Sequence, residues 1–368
     1  MPSQRTELIL KQDKERAFDG GFRVNAERIL VTGGAGFIGS NLVNRLLRQG
    51  HQVTIFDNLS RSGCRQNLAW LQQQFGPDAF CLVEADLTDF AALQRAATGA
   101  ERVYHLAGQV AVTTSVKNPR QDFEANALGT FNLLEAVRTA ADDPIVLYAS
   151  TNKVYGGMEE VKIAEDETRY YYADFPYGVP ETQPLDFHSP YGCSKGAGDQ
   201  YVRDYARIYN VRSVVVRQSC IYGYRQFGIE DQGWLAWFII AALKGRAISI
   251  YGNGKQVRDA LFIDDLLDGY EAIVQHIDQA VGQVYNIGGG PENTISIWRE
   301  FGPLLEKLLE RPVHVDYHTW RPGDQPVYIS DIRKAERDLG WKPRVPVAQG
   351  TECLYRWIYD NQKLFCHL

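Results

Sequence analysis

The sequence predicts an α/β protein, a doubly wound parallel sheet followed by a smaller C-terminal lobe. Three observations carry that expectation. Between Arg28 and Arg217, short apolar runs alternate with stretches whose apolar residues recur at helical spacing. The first run leads straight into a glycine-rich turn and then a helix, Gly33-Gly34-Ala35-Gly36-Phe37-Ile38-Gly39. Beyond about residue 218 the rhythm gives way to shorter segments punctuated by Gly252-Asn253-Gly254 and the Gly288–Gly290 run.

The elements follow in order. Arg28–Thr32 is a strand, Phe37–Arg48 an amphipathic helix, and Gln52–Phe56 and Ala79–Val83 the second and third strands. Arg102–Leu106 and Ile145–Ala149 are the fourth and fifth, each preceded by a helical stretch. Between Gly156 and Ser189 the rhythm breaks. With Tyr170, Tyr171, Tyr172 and Tyr177 among three prolines, this stretch reads as a long structured loop. Pro190–Tyr209 is a long helix, with Ser189 as its cap and Pro190 at the first helical position. Ser213–Arg217 is a sixth strand, and helical periodicity returns over Ile295–Leu309 and Asp331–Asp360. The expected division is an N-terminal extension at 1–26, a sheet domain at 27–218 with 256–282 returning to it, and a second lobe at 219–368. The extension is polar and reads as a tail or a short added helix.

Composition narrows the class. The 368 residues exceed what one core comfortably fills. With 45% hydrophobic and 23% charged residues, wholesale disorder is excluded. A net charge of −6 argues against a nucleic-acid or polybasic membrane surface. Six scattered cysteines form neither a disulfide framework nor a paired zinc motif, and the seven histidines lack ligand spacing. No apolar run has the length of a membrane span, and the N-terminus lacks a signal-peptide core. The expectation is a soluble, cytoplasmic protein without a metal.

The glycine turn satisfies G-x-x-G-x-x-G from Gly33 and G-x-G-x-x-G from Gly34. A Rossmann-type dinucleotide site needs such glycines for a sharp turn, close backbone approach to a pyrophosphate and tight helix packing. Gly33, Gly36, Phe37, Ile38 and Gly39 are therefore candidate cofactor contacts. Asp57, followed by Asn58, ends the second strand, where an acidic residue binds the adenosine ribose and disfavours a 2′-phosphate. NAD is expected over NADP, although Arg61 keeps the second option open. Asp86 and Leu87 after the third strand, and Leu106, Ala107 and Gly108 after the fourth, fit the same site; ordinary strand-ending turns would look alike.

Tyr191 and Lys195 stand four apart at the start of the long helix, on one face. A free phenol is a poor base at neutral pH. The expectation is that the Lys195 ammonium, the helix N-terminus and an oxidised nicotinamide favour the phenolate. Thr151, at the C-terminal end of the fifth strand, would orient the substrate oxygen beside Tyr191. Cys193, between them in sequence, is read as a packed thiol.

The glycine turn, Asp57, Thr151 and the Tyr191/Lys195 pair resemble the extended short-chain dehydrogenase/reductases, the sugar-nucleotide epimerases and dehydratases. The similarity runs from about Glu27 to Asp360. Closer detail resembles the CDP-paratose (CDP-tyvelose) 2-epimerases. It lies in Asn58-Leu59-Ser60-Arg61, His105-Leu106-Ala107-Gly108-Gln109-Val110, the Ser150–Gly156 and Leu185–Lys195 segments, Ile221–Phe227, Asp231–Trp234 and Gly252–Asp259. The resemblance implies a tightly bound NAD recycled each turnover, a CDP-linked sugar as substrate, inversion at carbon 2, and a homodimer or homotetramer. An epimerase or oxidoreductase acting on another nucleotide sugar, UDP-linked and at carbon 4, is the alternative; a non-catalytic NAD-binding scaffold is a third. The resemblance further implies that Arg258 and Arg321 hold the substrate diphosphate, with Arg225 a looser candidate. Gln109, Asn152, Ser219 and Gln226 are substrate-contact candidates. Trp234 and Trp237 read as core or as a base-stacking wall. The family's 4,6-dehydratases carry an Asp-Glu pair after the catalytic threonine. Here the positions are Asn152 and Lys153, which disfavours elimination.

Overall fold

The computed structural model describes residues 26–140, 142–321 and 324–366. All but the last residue of the N-terminal extension therefore lies outside the described residues. Seven parallel strands form the main sheet: β1 (Arg28–Thr32), β2 (Gln52–Asp57), β3 (Phe80–Glu84), β4 (Arg102–His105), β5 (Ile145–Thr151), β6 (Ser213–Gln218) and β8 (Val284–Ile287). Their order is β8-β6-β5-β4-β1-β2-β3. Val31 in β1 pairs with Ile55 on one side and Tyr104 on the other. The chain thus reverses its direction of winding between β1 and β4, the point where doubly wound sheets open a ligand crevice.

Both sheet faces are covered, which explains why strands such as β6 are buried at every residue. Helix α1 (Phe37–Arg48) and α2 (Cys64–Phe75) join the larger core with Ile29, Val31, Ile55 and Leu147. On the other face α3 (Phe90–Ala97), α4 (Gly129–Thr139) and α5 (Ser189–Tyr209) pack on Leu30, Val103, Val146 and Val215. Helix α5 approaches the sheet closely because its inner face is small. A Cβ at Gly198 would stand 2.4 Å from the Tyr148 hydroxyl.

The second lobe is built on a small sheet in which β7 (Val257–Phe262) pairs with Cys220–Tyr222, Thr294–Ser296 and Val327–Tyr328. The segment 256–282, expected to return to the sheet domain, divides between the two lobes. Strand β7 belongs to the small sheet; α6 (Ile263–Gln275) packs on α1, and the chain re-enters the large sheet at β8. The segment 156–189 also departs from a plain loop, since Ile163–Glu165 and Tyr170–Tyr172 pair antiparallel. Helices Phe301–Leu309, Arg333–Leu339 and Val347–Asp360 account for the C-terminal periodicity.

Candidate active site

The glycine turn leaves β1 at the switch point. Gly33 has φ +72°, and its N–H donates to the Phe56 carbonyl at 2.8 Å. A Cβ at Gly33 would meet Ala107 N at 2.7 Å, and one at Gly39 would meet Gly33 O at 2.1 Å. The turn is therefore pressed between the Leu106-Ala107-Gly108 turn and its own helix. Helix α1 begins after Gly36 with no side-chain cap, so its first N–H groups stay available to an anion. Phe37 and Ile38, in the first turn of α1, are partly buried against the larger core.

Asp57 is buried and accepts from Ala35 N at 3.0 Å and from Leu59 N at 2.8 Å. It ties the turn to β2 and keeps carboxylate lone pairs for a ribose; its burial pushes the carboxyl upward, against these hydrogen bonds. Asn58 donates to Asp86 at 2.7 Å, which joins two of the expected contacts. Leu87 is buried, and its carbonyl accepts from Asn132. His105 lies between Thr32 at 2.7 Å and Thr130 at 3.0 Å; burial pushes it down to about 3, so it is neutral and structural. Acceptor carboxylate, glycine turn and uncapped helix end fit a dinucleotide.

Thr151 ends β5, and Tyr191 stands near it in the first turn of α5, close enough for the threonine hydroxyl to pull the phenol down. Ser189, at φ +66°, caps the helix by accepting from Gly192 N at 3.2 Å. Lys195 is buried, with Nζ 4.2 Å from the centre of the Tyr148 ring. A Cβ at Gly108 would stand 4.0 Å from that same ammonium, so the Leu106–Gly108 turn and α5 converge here.

Burial dominates both ionisations. It pushes Tyr191 up to about 12 and Lys195 down to about 7. The groups acting on Tyr191 are Thr151, which lowers it by hydrogen bonding, Asp122, which raises it, and Arg61, which lowers it. Lys195 answers instead to Asp199 and Asp122.

Asp122 had no signal in the sequence. It accepts from Ser194, from Gln109 Nε2 at 2.9 Å and from Asn126 at 3.1 Å. Asn126 sits in a π-helical turn, Glu124–Leu128, and also donates to Ser194 at 3.1 Å. The wide turn is where side chains rather than periodicity decide the geometry. Gln109 is engaged in this network, donating also to Ala111 O. Cys193 is exposed, contrary to the expected packed thiol, because it faces away from the sheet on α5.

The remaining substrate candidates are each held by neighbouring groups. Asn152 accepts from Thr151 at 3.4 Å. Arg258 pairs with Asp324 at 2.6 Å. Arg321 lies 3.9 Å from the Tyr251 ring centre and pairs with Asp231 at 3.2 Å. Ser219 donates to Asp259 O and Gln226 to Ile221 O, both at 3.2 Å. Arg225 does not join them: its guanidinium stacks 4.1 Å over Trp70 and 5.5 Å from Trp357, beside α1. Trp234 packs on Phe238 and Phe301, and Trp237 packs on the same core. Among the described residues no cluster of His, Cys, Asp and Glu could hold a metal, and no helix is long and apolar enough to cross a membrane.

Fold and site together define an NAD-dependent, sugar-nucleotide-modifying enzyme of the extended short-chain dehydrogenase/reductase type. The GDP-mannose 4,6 dehydratase family model matches residues 30–353, and the chain belongs to that family. It is 43% identical over 341 residues to a CDP-paratose 2-epimerase of Salmonella typhi, covering 90% of this chain and 98% of that protein. Among solved structures, it is similar to the Bacillus cereus UDP-glucuronic acid 4-epimerase in complex with UDP-glucuronic acid and NAD. The TM-score is 0.78 at 28% identity, over 91% of this chain and 99% of the other. A double mutant of the dTDP-glucose 4,6-dehydratase of Streptomyces venezuelae, with NAD bound, gives a TM-score of 0.79 at 29% identity, over 91% and 98% of the two chains.

Proposed function

We propose that the chain is an NAD-dependent nucleotide-sugar epimerase that inverts one sugar carbon by transient oxidation. The observation that carries this reading is the pairing of Thr151 and Tyr191 beside Asn152 and Lys153. An amide and an ammonium there offer no carboxylate pair to eliminate water. NAD, when bound, supplies the hydride acceptor and gives the hydride back. Tyr191 as phenolate takes the proton from the sugar hydroxyl while Thr151 donates a hydrogen bond to the same oxygen. The buried Lys195 fixes the cofactor side of the cleft. The ketosugar turns in the cleft, and Tyr191 returns its proton to the oxygen of the inverted carbon.

Two forms of this reading differ in carbon and nucleotide. The spread of relatives supports the broader one, another nucleotide sugar such as a UDP-linked one inverted at carbon 4. Solved structures of UDP- and dTDP-sugar enzymes match the whole fold. The CDP-linked, carbon-2 form draws its support from the 43% identity to the CDP-paratose 2-epimerase and from the shared motifs. We further infer a homodimer, in which the exposed aromatics of α4 and α5 meet those of a second copy.

Incubation with CDP-paratose, CDP-glucose and UDP-glucose in deuterated water separates these forms. Inversion of one of them without deuterium at the inverted carbon is the expected result. Deuterium at that carbon would mean proton abstraction from carbon and would sink the mechanism.

A further inference from the structure

Lys153 follows the catalytic Thr151 by two residues, and its own N–H donates to the Thr151 hydroxyl at 3.2 Å. Its ammonium is partly buried and bonded to a neutral amide, Gln325 Oε1 at 3.3 Å. Gln325 is itself buried, and its other end donates to the Gly156 carbonyl, so the amide is fixed. The nearby carboxylate, Asp324, is already taken by Arg258 at 2.6 Å. Burial, and after it the repulsion of the nearby Arg258 guanidinium, brings the Lys153 ammonium down to about 8. Two cations therefore face one carboxylate, Asp324, at a partly buried position. An excess buried charge of this kind is costly unless an anion joins it.

The substrate supplies such an anion, and the position of Lys153 says which part of it. In a sugar linked through its anomeric carbon to a diphosphate, carbon 2 lies next to the anomeric carbon, whereas carbon 4 lies across the ring. A cation carried by the turn that follows Thr151, and held at Gln325 beside Arg258, suits a phosphate that is close to the reacting carbon. We propose that Lys153 holds the sugar-proximal phosphate of the substrate and thereby presents the carbon next to the anomeric one to Thr151 and Tyr191. This rests on the nucleotide-sugar reading and chooses between its two forms. Gln325 serves as the clamp that aims the ammonium, and Arg258 holds the diphosphate from the other lobe.

Calorimetric titration of the NAD-loaded protein with CDP, CMP, UDP and UMP tests the assignment. A monophosphate lacks the sugar-proximal phosphate, so the pair isolates the contact. Lys153→Met is expected to weaken the preferred diphosphate ~10- to 100-fold, the worth of a charged hydrogen bond, and its monophosphate less than about 3-fold. Lys153→Arg is expected to retain most of the diphosphate affinity. Lys153→Gln, which keeps a polar head for Gln325, repeats the comparison if the methionine variant does not fold. Equal losses on both nucleotides, or none on either, would overturn the proposal and leave the lysine a prop for Gln325. If the unaltered protein binds neither diphosphate, the nucleotide-sugar reading itself fails, which is a different result.

Discussion

Tyr191 is asked to ionise in a place that opposes ionisation. Burial raises its phenol, Asp122 raises it further, and Thr151 and Arg61 pull it down. Activity that needs the phenolate rises with pH through the tyrosine's pKa in the working complex. Asp122→Asn removes a negative charge, so that limb of kcat/KM is expected to move to lower pH, by about one unit or less. Arg61→Gln removes a positive charge and is expected to move the same limb upward. Steady-state pH profiles of the two variants check the signs. Shifts in the same direction would mean that the phenol is not the titrating group. Tyr191→Phe keeps the ring in place and removes the base; a fall of ~10²- to 10⁴-fold in kcat is expected, with cofactor retained. Epimerisation by that variant at the unaltered rate would remove Tyr191 from the mechanism.

At the scale of elements, the glycine turn and the α5 packing each rest on close approach. Gly39→Ala would drive a Cβ to 2.1 Å from the Gly33 carbonyl and 2.6 Å from Gly34 Cα, both backbone. At Gly36 the nearest atom is Gly33 O at 3.2 Å. Gly39→Ala is therefore expected to abolish NAD retention and Gly36→Ala only to weaken it, as read by absorbance of the purified protein. Helix α5 is tied to the sheet by Asp199, fully buried, whose two oxygens accept from Arg217 Nε and Nη2, each at 2.9 Å, with a further hydrogen bond from Ser150 at 2.7 Å. Removing one partner leaves the other charge buried and alone. Arg217→Met or Asp199→Leu is expected to cost about 3–5 kcal/mol, and the double replacement distinctly less than the sum, by chemical denaturation. Additive losses would deny that the two act as a pair. These same elements show what was legible in the sequence. β1 and α1 are read to the residue because apolar periodicity and glycine chemistry are local signals. β8 was not read: Val-Tyr-Asn-Ile is too short to carry a period, and its place at the sheet edge is set by β6. Asp122 and Asn126 were invisible for a related reason, since a π-helical turn and a long-range network leave no spacing to see. The exposed Cys193 was misread because adjacency in sequence says nothing of helix face.

Among the described residues, the outer face of α5 is left partly uncovered. Phe131 on α4 and Tyr201 on α5 stand 5.8 Å apart edge to face, yet remain 38% and 46% exposed. Ile208 and Tyr209 continue the strip at 62% and 49% exposure, near the end of the same helix. Large aromatics kept in contact with each other but open to water suit the centre of an interface, where such residues carry most of the binding energy. A symmetric dimer would set α4 and α5 of one copy against the same helices of the other, so that each aromatic pair meets its own image. Because α5 also carries Tyr191 and Lys195, covering its outer face would hold the catalytic residues on a stiffer support. Light scattering at micromolar concentration is expected to give twice the 41.6 kDa chain mass. Phe131→Glu together with Tyr201→Glu is expected to give the single-chain mass, since two buried carboxylates facing their own copies would repel. A dimer that survives both substitutions must use another surface. If the charged variant is monomeric and folded, with Tyr191 chemistry slowed though no site residue has changed, the interface supports catalysis as well as assembly.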